Sequence, residues 1–321
     1  MTLSNHARYA TRLNAFKIKG GSVADMIAGA GRVGGLNAAD LNYPDHFDLH
    51  SPQQLTALLA DQGMALNGLA MRYYTESGFK LGAFTHPDQT VRRAAIDLTK
   101  RGIDACAEMG GDLMTLWMGQ DGYDYAFQGD YARMWEDTIA ALIEVADHNG
   151  GVNIAVEYKP DEPRAFALMP DMATTLLALR EVDRSNTGVT LDFAHVLYAG
   201  EMPGFAAMLA QRHSRILGVH LNDGYGKRDD GLMAGTVHPV QTVELLVALA
   251  RGGYDGVIYF DTFPDHAGLD PVAEARANIR LITRLRRVAE GLAGDAGLAA
   301  AMARQDAAAT SVIVAQALYG A

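Results

Sequence analysis

The chain has 321 residues, 38 acidic and 27 basic, for a formal charge of −11, with 49% hydrophobic and 20% charged side chains. That is the balance of a globular protein with an extensive core, and it is too acidic for nonspecific nucleic-acid binding, which rests on Lys and Arg neutralising phosphates. The single cysteine, Cys106, excludes an internal disulfide framework and a cysteine-based zinc finger, and its helix-like setting IDACAEMGG reads as buried packing.

The N-terminal stretch MTLSNHARYATRLNAFKIKG lacks the apolar block of a secretory signal. No run approaches the ~18 apolar residues of a membrane helix, so a cytoplasmic protein without a membrane partner is expected. Short apolar runs then alternate with stretches of helical periodicity. Strands are predicted at 15–18 (interrupted by Lys17), 36–41, 66–71, 113–118, 152–157, 188–192, 216–221 and 257–261. Helices are predicted at 52–62, opened by Ser51 as N-cap, at 90–109, stopped by Gly110-Gly111, and at 130–149, 170–182, 203–212, 240–251 and 270–292. Eight strands alternating with helices imply parallel pairing and an α/β fold, a (β/α)8 TIM barrel over 1–292. A doubly wound sheet is the rival, but no GxGxxG or GxxxxGK[ST] follows the first strand. The Ala-rich segment 293–321 reads as a helical C-terminal extension, a subunit contact or a segment folded back on the barrel.

Barrels place chemistry at the C-terminal ends of their strands, and the last four predicted strands carry polar residues there. The fifth ends VEYKP, with Glu157 at its tip and Lys159 pointing the same way two residues on. The sixth ends TLDFAH, with Asp192 at the tip and His195 in the loop. The seventh reads GVHLND, with His220 and Asn222 on one face, and the eighth closes on Asp261 in VIYFDTFP. Separations of 35, 28 and 41 residues are about one βα unit each, so a closed barrel brings the four tips to one mouth. Three carboxylates there repel one another; a divalent cation relieves this, and the donors suit Mn²⁺, Mg²⁺, Co²⁺ or Zn²⁺. One such tip alone reads as a turn residue; four in register read as a metal site. Nearby, Asp223, Asp229 and Asp230 lie in the loop DGYGKRDDGLMAGTVHP, His86 in GAFTHPD, and Trp117 closes the fourth strand. Each of these also has an ordinary reading as a solvated loop or core residue.

These segments resemble a known family. VEYKPDEPR is similar to the Glu-x-Lys-Pro-x-Glu-Pro-Arg segment of xylose isomerases, and TLDFAHVLYAGE to their metal-binding Glu/Asp-x-x-His segment. LGVHLND and YFDTFP fill the next two strand positions in the same order. The likeness spans most of residues 14–290 and points to the xylose isomerase-like barrel superfamily. His220 and Asp261 look more like L-rhamnose isomerase and related sugar isomerases than like xylose isomerase itself. The resemblance implies a monosaccharide substrate, an aldose–ketose interconversion by metal-assisted hydride shift, and a homodimer or homotetramer. It implies one ion, Mn²⁺ foremost, on Glu157, Asp192, His220 and Asp261, and a second on Asp192, His195, Asp229 and Asp230. Family members usually carry an Asp-x-Asp pair in that loop; here Asp229-Asp230-Gly231 is one carboxylate short. Catalytic roles fall to Lys159, donating to O1, and to Glu157, Asp261 and His195, while His86, Trp117, Lys159 and Phe193 would face the substrate. Gln120, Asp121 and Tyr123 are loop candidates for reading hydroxyl configuration.

The nearest rival is a ketose 3-epimerase of the same superfamily, in which two metal-binding carboxylates act as acid and base on opposite faces of C3 around one ion. The missing Asp favours it; Asp261 where Glu is usual, and Lys159, favour the isomerase. An endonuclease IV-type DNA-repair enzyme shares the barrel, but it needs a basic face and a His-richer zinc site, which the charge of −11 opposes. A non-catalytic sugar-binding barrel is the remaining reading, and metal content separates it from the enzymes.

Overall fold

The structure, a computed structural model, describes residues 8–73 and 77–320. Its strands are β1 (Tyr9–Thr11), β2 (Ala38–Tyr43), β3 (Ala65–Met71), β4 (Leu113–Trp117), β5 (Asn153–Glu157), β6 (Thr187–Asp192), β7 (Ile216–Leu221) and β8 (Ile258–Phe260). They pair in parallel in the order β2-β3-β4-β5-β6-β7-β8-β1. Asn37 closes the remaining seam between β1 and β2: its Oδ1 accepts the Tyr9 amide at 2.8 Å, and its own amide donates to the Tyr9 carbonyl at 3.1 Å. The result is a (β/α)8 barrel. A two-stranded ribbon, Gly122–Tyr123 against Phe166–Ala167, stands on the loops after β4 and β5.

The surrounding helices are α1 (Val23–Gly31), α2 (Pro52–Asp61), α3 (Gln89–Glu108), α4 (Tyr131–His148), α5 (Met172–Val182) and α6 (Phe193–Tyr198). Then come α7 (Pro203–His213), α8 (Pro239–Arg251), the short α9 (Pro264–Ala267) and α10 (Pro271–Ala293). Capping boxes, Ser22 with Asp25 and Ser51 with Gln54, start α1 and α2, and Asp88, Asp130 and Asp171 cap the next three. Helices cover the outside of the barrel, so strands such as the TGVTLD of β6 are buried along their whole length.

The first predicted strand falls elsewhere. Leu13–Phe16 form a 3₁₀ turn that buries Leu13, Ala15 and Phe16, and Ile18 is exposed. The strand is the less apolar Tyr9–Thr11, in register with Ile258–Phe260, a non-local pairing that overrides local pattern. Beyond α10, α11 (Ala296–Ala303) and α12 (Ala307–Tyr319) bury Leu298, Ala301 and Leu318, while Val312 is exposed. Among the described residues no helix is long and apolar enough to cross a membrane.

Candidate metal centre

Strand register assembles the site. Glu157 lies opposite Thr190, Asp192 opposite His220, and His220 opposite Tyr259, two residues before Asp261. With side chains alternating along each strand, the four polar tips share the face turned to the barrel interior. One ligand atom from each of Glu157, Asp192, His220 and Asp261 lies within 4.8 Å of the others, the first three residues being buried and Asp261 partly so. A cavity of about 370 Å³ opens beside them, walled in part by Trp117, Lys159, His195, Asp229, Tyr259 and Phe263.

Burial drives carboxylates toward their neutral form, and here it acts on several at once. Asp192 is pushed up to about 7 by burial and by the charges of Asp229, Glu157 and Asp261, with His195 opposing. Asp261 is also raised, by burial first and then by Glu157 and Asp229. Glu157 goes the other way: burial works against its charge, yet His220 Nδ1 at 3.2 Å from its Oε1 holds it below the usual range. Burial likewise opposes the imidazoliums, but Glu157 raises His220 to about 10, and Asp192 and Asp229 raise His195 to about 9. The two imidazoliums are thus counter-charges to the carboxylates. The donor set fits a divalent ion, which can replace the ligating imidazole's proton while the carboxylate charges remain.

Second contacts fix these groups. Asn222 Nδ2 donates to both oxygens of Asp192 at 3.2 and 3.0 Å, and its Oδ1 accepts the Ala194 amide at 2.8 Å. The His195 amide donates to Asp192 Oδ1 at 2.9 Å. His195 Nε2 lies 3.3 Å from Asp229 Oδ2, the oxygen that also accepts Lys159 Nζ at 3.2 Å. Lys159 pairs with Glu162 at 2.9 Å and sits 5.5 Å from the centre of the Trp117 ring. Burial disfavours its charge, but Asp229 and Glu162 outweigh that and raise its pKa. His195 Nδ1 and Asp229 Oδ1 are buried with no hydrogen-bond partner among the described residues.

Other expected site residues lie elsewhere. Asp230 turns to the Tyr225 amide at 2.9 Å and to Arg228 at 2.7 Å, and it belongs neither to the four-residue group nor to the cavity wall. Phe193 is fully buried in the hydrophobic core at the start of α6, because the helix that begins there turns its ring inward. His86 serves its own loop, its Nδ1 accepting the Asp88 amide at 3.0 Å, and it is not part of the cavity wall. Asp121 is a structural tie, its Oδ1 accepting the amides of Ala83 and Thr85 and the Thr85 hydroxyl. Tyr123 stacks on Phe166 in the ribbon. Conversely, Arg12, Asp40 and Arg72, which belong to none of the sequence motifs, line the cavity. Asp40 accepts Asn67 Nδ2 at 2.8 Å, and burial raises it to about 6. The signal for it is a carboxylate set in a strand otherwise covered on both faces.

Residues 26–285 match the family described as xylose isomerase-like TIM barrel. A xylose isomerase of Thermus thermophilus is 28% identical over 209 residues, 63% of this chain and 54% of that protein. The chain thus spans about half the length of the curated relatives it matches. Among solved structures, a D-tagatose 3-epimerase-like protein superposes with a TM-score of 0.72 at 16% identity, over 88% of this chain and 98% of the other. An L-ribulose 3-epimerase gives 0.68 at 17% identity, over 88% and 96%. At such identities the two superpositions speak for the fold alone, whereas the family match covers most of the sequence, from α1 to the end of the barrel: the chain belongs to the xylose isomerase-like TIM-barrel family.

Proposed function

We propose that this chain is a divalent-metal-dependent sugar isomerase interconverting an aldose and a ketose by hydride shift. The convergence of Glu157, Asp192, His220 and Asp261 on one point carries the reading, and similarity to a xylose isomerase supports it. The proposed ion, Mn²⁺ foremost, would be held by those four residues and would polarise substrate carbonyl and hydroxyl oxygens as a Lewis acid. Hydrogen moves between C1 and C2 as hydride and one proton moves between O1 and O2, so the reaction balances without an external oxidant. Lys159, kept charged by Asp229 and Glu162, donates a hydrogen bond to O1 as negative charge develops there. His195, backed by Asp229, carries the hydroxyl proton. Trp117 walls one side of the cavity and keeps water from the reacting carbons.

A ketose 3-epimerase is the second reading, favoured by one observation: Asp230 is engaged with Tyr225 and Arg228, and the described residues hold a single four-residue group. Glu157 and Asp261 would then be base and acid at C3. A panel of aldoses and ketoses, assayed with Mn²⁺ in D₂O, tests both. The isomerase gives aldose–ketose conversion with the migrating hydrogen retained; the epimerase gives C3 inversion with deuterium incorporated there. Absence of turnover across the panel overturns both readings.

A further inference from the structure

We infer that the substrate is an anionic sugar, its phosphate or carboxylate held by Arg12, Lys17 and Lys19 at the end remote from the metal ligands. This deepens the sugar-enzyme reading and rests on it. Although the chain carries a net −11, residues 8–24 contain Arg8, Arg12, Lys17 and Lys19 and no carboxylate. Arg12 directly follows β1 and lines the cavity that holds Glu157, His220 and Asp261. Together with Asn14, it also lines a second hollow of about 490 Å³, walled further by Lys17, Lys19 and Asp265. Sharing Arg12 and Asn14, the two hollows adjoin, and the basic turn lines the one beside the metal cavity.

Both signs line the metal cavity, with carboxylates at Asp40 and at the tips of β5 and β8 and cations at Lys159, Arg72 and Arg12, whereas the adjoining hollow is predominantly basic. The one carboxylate of the second hollow, Asp265, is engaged with Arg12 Nη1 at 2.7 Å. A guanidinium offers five donors, so this contact leaves most of them for a ligand. Lys17 and Lys19 are exposed and form no ion pair among the described residues. A neutral sugar has no group that draws on three cations beyond its hydroxyls. A phosphate or carboxylate accepts charge-assisted hydrogen bonds from all of them and is steered toward the opening by their field.

Calorimetric titration of the Mn²⁺-supplied protein at low salt tests this, using D-fructose, D-fructose 6-phosphate, D-glucose, D-glucuronate and inorganic phosphate. At least one charged sugar should bind about tenfold tighter than its neutral counterpart, and the phosphate and uronate arms identify which anion is preferred. The double variant Lys17→Gln, Lys19→Gln should bring the charged-to-neutral affinity ratio toward one, with Arg12→Gln acting in the same direction. Equal affinity for charged and neutral sugars, a preference that survives the double variant, or binding of free phosphate as tightly as of the sugar phosphate overturns the inference. Turnover of neutral sugars without any anion preference rejects this inference alone, whereas anion-selective sugar binding with no turnover on the panel rejects the isomerase and epimerase readings instead.

Discussion

Gly231 sits at a φ of +57°, and a Cβ added there would come 2.2 Å from the Phe263 ring. Backbone and space both demand glycine at this point, so the carboxylate absent from the loop cannot simply be restored. Gly231→Asp is expected to cost about 1–3 kcal/mol of stability and to bind no more metal than the parent; a second equivalent of ion at an unchanged melting temperature would contradict this. Glu157→Gln removes both a ligand and the counter-charge of His220, so metal affinity should fall by about 100-fold or more, read by equilibrium dialysis, and turnover should fall to background. Lys159→Met separates binding from chemistry: metal stoichiometry should hold while turnover drops about 10²–10³-fold. Equal loss of metal in both variants would place Lys159 in the support of the ligands rather than at O1.

Among the elements, α3 and α4 are tied through Glu144, which accepts Arg93 at 2.7 and 2.5 Å and Lys100 at 2.5 Å. Arg93 and then Lys100 hold this carboxyl down to about 2 from 4.5. Its folded pKa lies below its unfolded one, so the tie stabilises fully above pH 4.5 and is lost as the pH falls from there toward 2. The side chain is 37% exposed, and water screens it to roughly 0.5–1 kcal/mol. Glu144→Gln should therefore lower the melting temperature by about 1–3 °C at neutral pH, with the gap to the parent narrowing as the solution is acidified. The same scale shows what the sequence can display. The bounds of β4 to β7 are legible to within one residue, because each is a short, largely apolar run between stretches of helical periodicity. β1 is not legible, since Tyr9–Thr11 becomes a strand only by pairing with β8. The meeting of Glu157, Asp192, His220 and Asp261 follows from strand alternation within a closed parallel barrel. Past the strand tips that rule stops. Loop and helix geometry decides that Phe193 enters the core, that Asp230 turns to Arg228, and that Arg12 and Arg72 reach the cavity.

For the molecule as a whole, a cation bound only by the folded state adds stability in proportion to the logarithm of its excess, about 2.7 kcal/mol at a hundredfold excess over Kd. Chelator should lower the melting temperature and Mn²⁺ should restore it; a melt indifferent to both would leave the four residues without an ion. Because Glu157 raises His220 to about 10 against the effect of burial, the imidazole must shed a proton to ligate. Calorimetry in buffers of different ionisation heat should therefore show proton release on metal addition near neutral pH. Architecture also bears on how such a barrel can diversify. The Asp223 carboxylate accepts the amides of Val237 at 2.8 Å and His238 at 2.9 Å, while its backbone exchanges two 2.9 Å hydrogen bonds with Leu232. Both stumps of the segment between Asp223 and Leu232 are thereby welded to one buried residue. Residues 224–230, short of the Gly231 that packs on Phe263, thus form a cassette: Asp229 apart, which Lys159 and His195 hold, grafting can rewrite it while the scaffold beneath keeps its shape.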